Sequence, residues 1–69
     1  MSLAIFKTNV ETPQEADYLL RELRRTVSDG VINFDLEDSN RILRIEINRE
    51  ISEIVCSLFV KQGFYCQKL

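Results

Sequence analysis

The feature that most constrains this chain is the order of its periodicities. Within 69 residues they switch strand, helix, strand, strand, helix, strand. Ala4, Phe6, Thr8 and Val10 share one side of a first strand over residues 4–10, with Ile5, Lys7 and Asn9 on the other, the period of two that a pleated strand imposes. Thr12-Pro13-Gln14-Glu15 then signals a helix start. Thr stands at the N-cap, Pro at the first helical position and Glu three residues after the Thr, which is a capping box. Ala16, Leu19, Leu20, Leu23 and Val27 follow at spacings of three and four, one apolar stripe. Asp29-Gly30 is expected to end that helix, with Gly30 in the left-handed conformation.

Alternation returns at residues 31–36, with Ile32, Phe34 and Leu36 opposite Val31, Asn33 and Asp35. Glu37-Asp38-Ser39-Asn40 is a cluster of turn formers, and residues 42–47 alternate again, Leu43, Ile45 and Ile47 inward. These two strands predict a hairpin. Asn48 is placed to cap a second helix with the stripe Ile51, Ile54, Val55, Leu58 and Phe59. Gly63 stops it, leaving residues 64–69 for a short last strand.

Helices with one apolar stripe and strands with one apolar face must bury those faces together, in two layers. Right-handed crossovers then give an α+β, ferredoxin-like β-α-β-β-α-β sandwich. Its antiparallel sheet has the order 4-1-3-2, and both helices lie on one face. One domain spans residues 1–69, small enough that it buries only about 60% of its unfolded surface. The uncovered face is expected to carry Ile5, Lys7, Val31, Asn33, Asp35, Ile42, Arg44, Glu46, Tyr65 and Gln67.

Composition narrows function by exclusion. Nine basic against eleven acidic residues give a net charge of −2, with no pull toward nucleic acid or anionic lipid. The chain contains no histidine, the commonest general base and metal ligand near neutral pH. No apolar run approaches the about 20 residues of a membrane span, and the start lacks the features of a signal peptide, so a cytoplasmic location is expected. The acidic Glu37-Asp38 pair sits in a turn, and a two-layer domain this small offers no deep cleft for acid–base work. The chain is expected not to be an enzyme and to hold no cofactor.

The pattern Phe6-Lys7-Thr8-Asn9-Val10, a helix with Leu19 and Leu23, then Phe34-Asp35-Leu36-Glu37, Ile42-Leu43-Arg44-Ile45 and Gly63-Phe64 resembles the heavy-metal-associated domain family. That family includes copper chaperones and the N-terminal modules of metal-pumping ATPases. Its members carry Met-x-Cys-x-x-Cys between the first strand and first helix, where two thiolates hold a soft metal. The resemblance puts Val10 at the Met, Thr12 at the first Cys and Glu15 at the second, so this chain has no CxxC and a capping box stands in place of the metal loop.

The remaining cysteines, Cys56 and Cys66, are expected to be free thiols, one a small core filler and one partly exposed. A metal or redox site shared between them is the alternative. Arg21, Arg24 and Arg25 are expected to form a solvated helix face, since RNA reading on such a sheet needs stacking aromatics that its outward central positions lack. Tyr18 is an exposed aromatic and a candidate for partner contact. Ile5, Val31, Ile42 and Tyr65 are the stronger candidates, an apolar patch among charges on the bare sheet face. The expected function is a non-catalytic interaction module that has lost thiolate metal binding and meets protein, by self-association among other routes. The alternatives are a divergent metal-ion carrier or redox-sensing module on Cys56 and Cys66, and a small-ligand regulatory domain of the same topology.

Overall fold

The computed structural model describes residues 2–69. Its elements run β1 (Ser2–Thr8), α1 (Pro13–Thr26), β2 (Val31–Asp35), β3 (Ile42–Ile47), α2 (Ser52–Lys61) and β4 (Cys66–Lys68). The four strands form one antiparallel sheet in the order β2-β3-β1-β4, which counted from the β4 edge is 4-1-3-2. This α+β arrangement is compatible with a ferredoxin-like fold. The register sets Phe6 opposite Leu43 and Lys68, and Ile45 opposite Ala4 and Ile32. Phe6, Ile32, Leu43, Ile45 and Ile47 from the sheet meet Leu19, Leu23, Val55 and Phe59 from the helices in one buried core.

Each helix end has its own chemistry. At the start of α1 the capping box is complete, because the Thr12 hydroxyl accepts from the Glu15 N–H and the Glu15 carboxylate accepts from the Thr12 N–H. Two orphan donors of the first turn are thereby satisfied. At the end of α2, Gly63 takes φ +84°. The Phe64 N–H then reaches the Phe59 carbonyl at 2.8 Å and the Gly63 N–H reaches that of Val60 at 3.0 Å. This is a Schellman closure, with the Phe64 ring edge-on to Phe59 at 6.5 Å as its apolar contact.

Three expectations about element ends fail for identifiable reasons. Gly30 does not adopt positive φ. Helix α1 stops at Thr26, with Val27 N–H bonded to the Leu23 carbonyl and its side chain buried. Gly30 instead lies where the chain passes β3, and a Cβ there would stand 3.3 Å from both the Glu46 carbonyl and Ile45 Cγ2. Asn48 does not cap α2, which starts at Ser52 after Ile51 with no side-chain cap. Glu50 fills that place by accepting from the Ser52 N–H at 2.7 Å. The first strand ends at Thr8, so Val10 is buried as part of a loop.

Ile54, expected in the α2 stripe, is exposed. The apolar arc of a ten-residue helix is narrower than the run of apolar residues suggests, and Val55 and Phe59 take its centre. The last strand is shorter than expected. Cys66–Lys68 pairs only with β1, and Tyr65 is held by its N–H donating to the Asn9 side chain at 2.7 Å.

Thr8 is the buried polar residue of the core. Its hydroxyl donates to the Arg41 carbonyl at 2.7 Å and accepts from the Val10 N–H at 3.3 Å, while its own N–H reaches the Asn40 carbonyl. The β2–β3 turn is thereby fastened to the end of β1. Within that turn Arg41 takes φ +48°.

Candidate functional site

Three places in the structure answer to the residues that the sequence singles out. The first is the loop before α1. Thr12 Oγ1 lies 3.1 Å from the Glu15 nitrogen, and Glu15 Oε1 lies 3.2 Å from the Thr12 nitrogen and 3.0 Å from that of Glu11. Both side chains are thus turned onto the backbone, and their oxygens hold the helix start. Replacing Thr12 by Ala is expected to lower stability by about 1 kcal/mol and leave the sheet intact, measurable as a drop in urea midpoint with unchanged strand signal. A loss under a quarter of that would mean that the box contributes little here.

The second place is the contact between α2 and β4. The register puts Cys66 beside Thr8 on the helix-facing side of the sheet. Cys56 comes down from a flank of α2 to meet it, with the two Sγ atoms 3.5 Å apart. The Cys56 thiol also faces the Cys66 carbonyl at 3.7 Å. Both residues are half-buried and both thiols are free. Burial pushes the Cys66 thiol well above its ordinary range, and the neighbouring Cys56 thiol raises it further. The two cysteines therefore form a pair rather than a separate core filler and surface thiol. The sequence signals a cysteine on the flank of α2 and another, ten positions on, turned toward the helices, but the depth of a short last strand is not readable from periodicity. Among the described residues, no group of three or more His, Cys, Asp or Glu side chains gathers to hold a metal ion.

The third place is the helix-free face of the sheet. Val31 (55% exposed) and Tyr65 (47%) lie open there, and Ile5 is partly covered. Ile42 is a correction: it is only 5% exposed and lies outside the core cluster. Its cross-strand neighbours on that face are Lys7 and Asp35, and Asp35 is drawn toward Arg44 at 3.8 Å. Long side chains lying over a central strand can cover an aliphatic group that a count of alternating positions marks as bare. Two residues that sequence reasoning missed are also open: Leu69 (64%), more than any of these, and Leu3 (52%), more than any but Val31. The Leu69 N–H bonds to the Ile5 carbonyl, so the two side chains are neighbours, and Leu3 precedes Ile5 by two. The period of two identifies Leu3 once β1 is extended to Ser2.

Tyr18 is 42% exposed, and its hydroxyl is already engaged, donating to Gln62 Oε1 at 2.8 Å. It ties α1 to the end of α2. On the same helix Arg25 and Glu22 form an ion pair at 3.7 Å. A surface pair of this kind contributes little.

Charge also organises the loop ends opposite the hairpin turn. Arg49 grips Asp29 with two nitrogens at 3.0 Å, which lowers the Asp29 carboxyl and raises the guanidinium. Ser52 and then Lys68 hold the Glu50 carboxyl down to about 2, with Lys68 Nζ 3.4 Å away. The helices are too short or too polar to cross a membrane among the described residues. No family model matches this chain, and no curated protein or solved structure matches it either.

Proposed function

We propose that this chain is a non-catalytic contact module of ferredoxin-like, metallochaperone-like topology, and that it works by pairing the open face of its sheet with a second copy. The observation that carries this reading is the set of exposed aliphatic and aromatic side chains on that face, Leu3, Val31, Tyr65 and Leu69. Leu3 and Leu69 adjoin Ile5 there, and apolar surface set among charges is characteristic of association sites. A second copy is favoured as the occupant by the charges between them. Lys7 and Arg44 share the face with Asp35 and Glu46, so the surface carries both signs and can complement itself across a two-fold axis. In the loop before α1, the oxygens of Thr12 and Glu15 are spent on backbone N–H groups where the resembled family presents sulfur. Function through contact is the reading that this leaves.

Size decides how tight the contact is. Strands of 7, 5, 6 and 3 residues, spaced about 4.8 Å apart and rising about 3.4 Å per residue, give a flat face of about 340 Å². Standard interfaces bury about 800 Å² per partner. Association is therefore weak and concentration-dependent. Sedimentation equilibrium should show the dimer fraction rising between about 50 μM and about 1 mM, the range of weak interfaces. The double substitution Leu3→Glu, Val31→Glu should abolish it while helix content stays unchanged. A chain that stays monomeric throughout that range, or a dimer that survives both substitutions, rejects the proposal.

A further inference from the structure

The fold brings two nucleophilic side chains together on the side of the sheet opposite the contact face. We propose that Cys56 and Cys66 form a reversible intramolecular disulfide, which makes the α2–β4 contact a modification site for low-molecular-weight disulfides such as glutathione disulfide. This inference does not depend on self-association, because β4 turns Cys66 toward the helices and Gln67 toward the open face.

The geometry needs little change. The sulfurs stand 3.5 Å apart, and a disulfide requires about 2.05 Å. A closure of about 1.5 Å is the whole displacement. One partner lies on α2, anchored through Val55 and Phe59 in the core. The other lies on an edge strand of three residues, bonded on one side only. The edge strand is the element that can give. The nine residues between the two cysteines include the Gly63 turn, which already folds the chain back on itself.

The order of the chemistry follows from the surroundings. Burial keeps Cys66 protonated, and a charge on Cys56 would oppose a second charge beside it. Cys56 therefore reacts first. It attacks one sulfur of glutathione disulfide, that S–S bond breaks, and one glutathione leaves and takes up a proton. A mixed disulfide now occupies Cys56, and its sulfur can no longer carry charge against Cys66. The Cys66 thiol then gives its proton to water and attacks Cys56 Sγ, releasing the second glutathione as a thiol. The two protein thiols have lost two electrons and two protons, and one glutathione disulfide has become two glutathiones. The second step is the slow one, because the buried thiol must ionise.

The test equilibrates the whole chain with glutathione buffers of rising disulfide fraction, once native and once in guanidinium. Acid quenching, alkylation and mass measurement then read out the species. The native chain should lose about 2 Da and both alkylatable thiols, and dithiothreitol should restore them. Its effective thiol concentration should exceed that of the denatured chain at least about tenfold, with a melting temperature about 10 °C above the reduced form. Cys66→Ser should stop at a glutathione adduct on Cys56. An effective concentration no higher in the native chain than in denaturant overturns the proposal. So does a wild-type chain that stops at the adduct, or a disulfide that links two chains.

Discussion

Phe59→Ala should bring the domain to the edge of unfolding. Phe59 is wholly buried, with Phe34 tilted against it at 6.2 Å and Phe64 edge-on at 6.5 Å. Removing a buried ring of this kind lowers stability by about 3–5 kcal/mol, part from lost transfer energy and part from the cavity left behind. A domain of this length has only about 3–10 kcal/mol in total. Phe59 is also the third residue from the end of α2 and receives the Phe64 N–H that closes the helix, so its loss weakens the closure together with the core. Thermal and urea melts by circular dichroism should show a midpoint lowered by about 15 °C or more, or no cooperative transition at all. A loss under about 1 kcal/mol would mean that the neighbouring rings collapse into the space, and that the site is not the keystone assigned here.

The second large effect is a contrast along β3. Ile45 and Ile42 are both buried, yet they face opposite layers. Ile45 has Ala4 and Ile32 opposite it and belongs to the core that the helices close. Ile45→Ala is expected to lower stability by about 2–5 kcal/mol. Ile42 lies between Lys7 and Asp35 on the helix-free face, where long surface side chains can settle into a gap. For Ile42→Ala the loss should be about 2 kcal/mol, the low end of that range. It is the transfer energy of three lost carbons at about 0.8 kcal/mol each, with little cavity left behind. Equilibrium unfolding of the two variants side by side measures the difference. Equal losses would show that the open face is packed as rigidly as the core.

These contrasts also mark what was legible in the sequence. Six elements in their order, the hairpin, the capping box at Thr12 and Glu15, and the stop at Gly63 were readable, because each rests on residues within one turn or one strand of each other. Sheet order followed from handedness and layer rules, which act on whole elements. What escaped reading was set by approach between elements. Gly30 looks like a helix stop in sequence, but its lack of a side chain is used against the β3 backbone. Asn48 has the chemistry of a cap, yet the chain reaches its helix three residues later and Glu50 does the work. Ile42 sits at an outward position and is still covered, since burial depends on the residues around it as well as on alternation.

The candidate sites divide in the same way. Thr12 and Glu15 were legible as a capping pair because their partners are three residues apart. The meeting of Cys56 with Cys66 was not, because it depends on how far a three-residue strand runs beside β1. Tyr18 was read from its place on α1, and its partner Gln62 lies at the far end of the other helix. Residues whose roles are local can be read from a chain; those whose roles are completed by a distant element need coordinates.

The central pair of the sheet, β1 with β3, joins the beginning of the chain to its latter half, Phe6 to Leu43. Contacts of such long range form slowly, since the intervening chain must be closed before they yield any stabilisation. The β2–β3 hairpin is local and can arise early, offering β3 as the template on which β1 later docks. As the chain leaves the ribosome, β1 waits without a partner until β3 has been made, and β4 joins last. The vulnerable interval for this protein lies in its synthesis, before the middle of the sheet has closed.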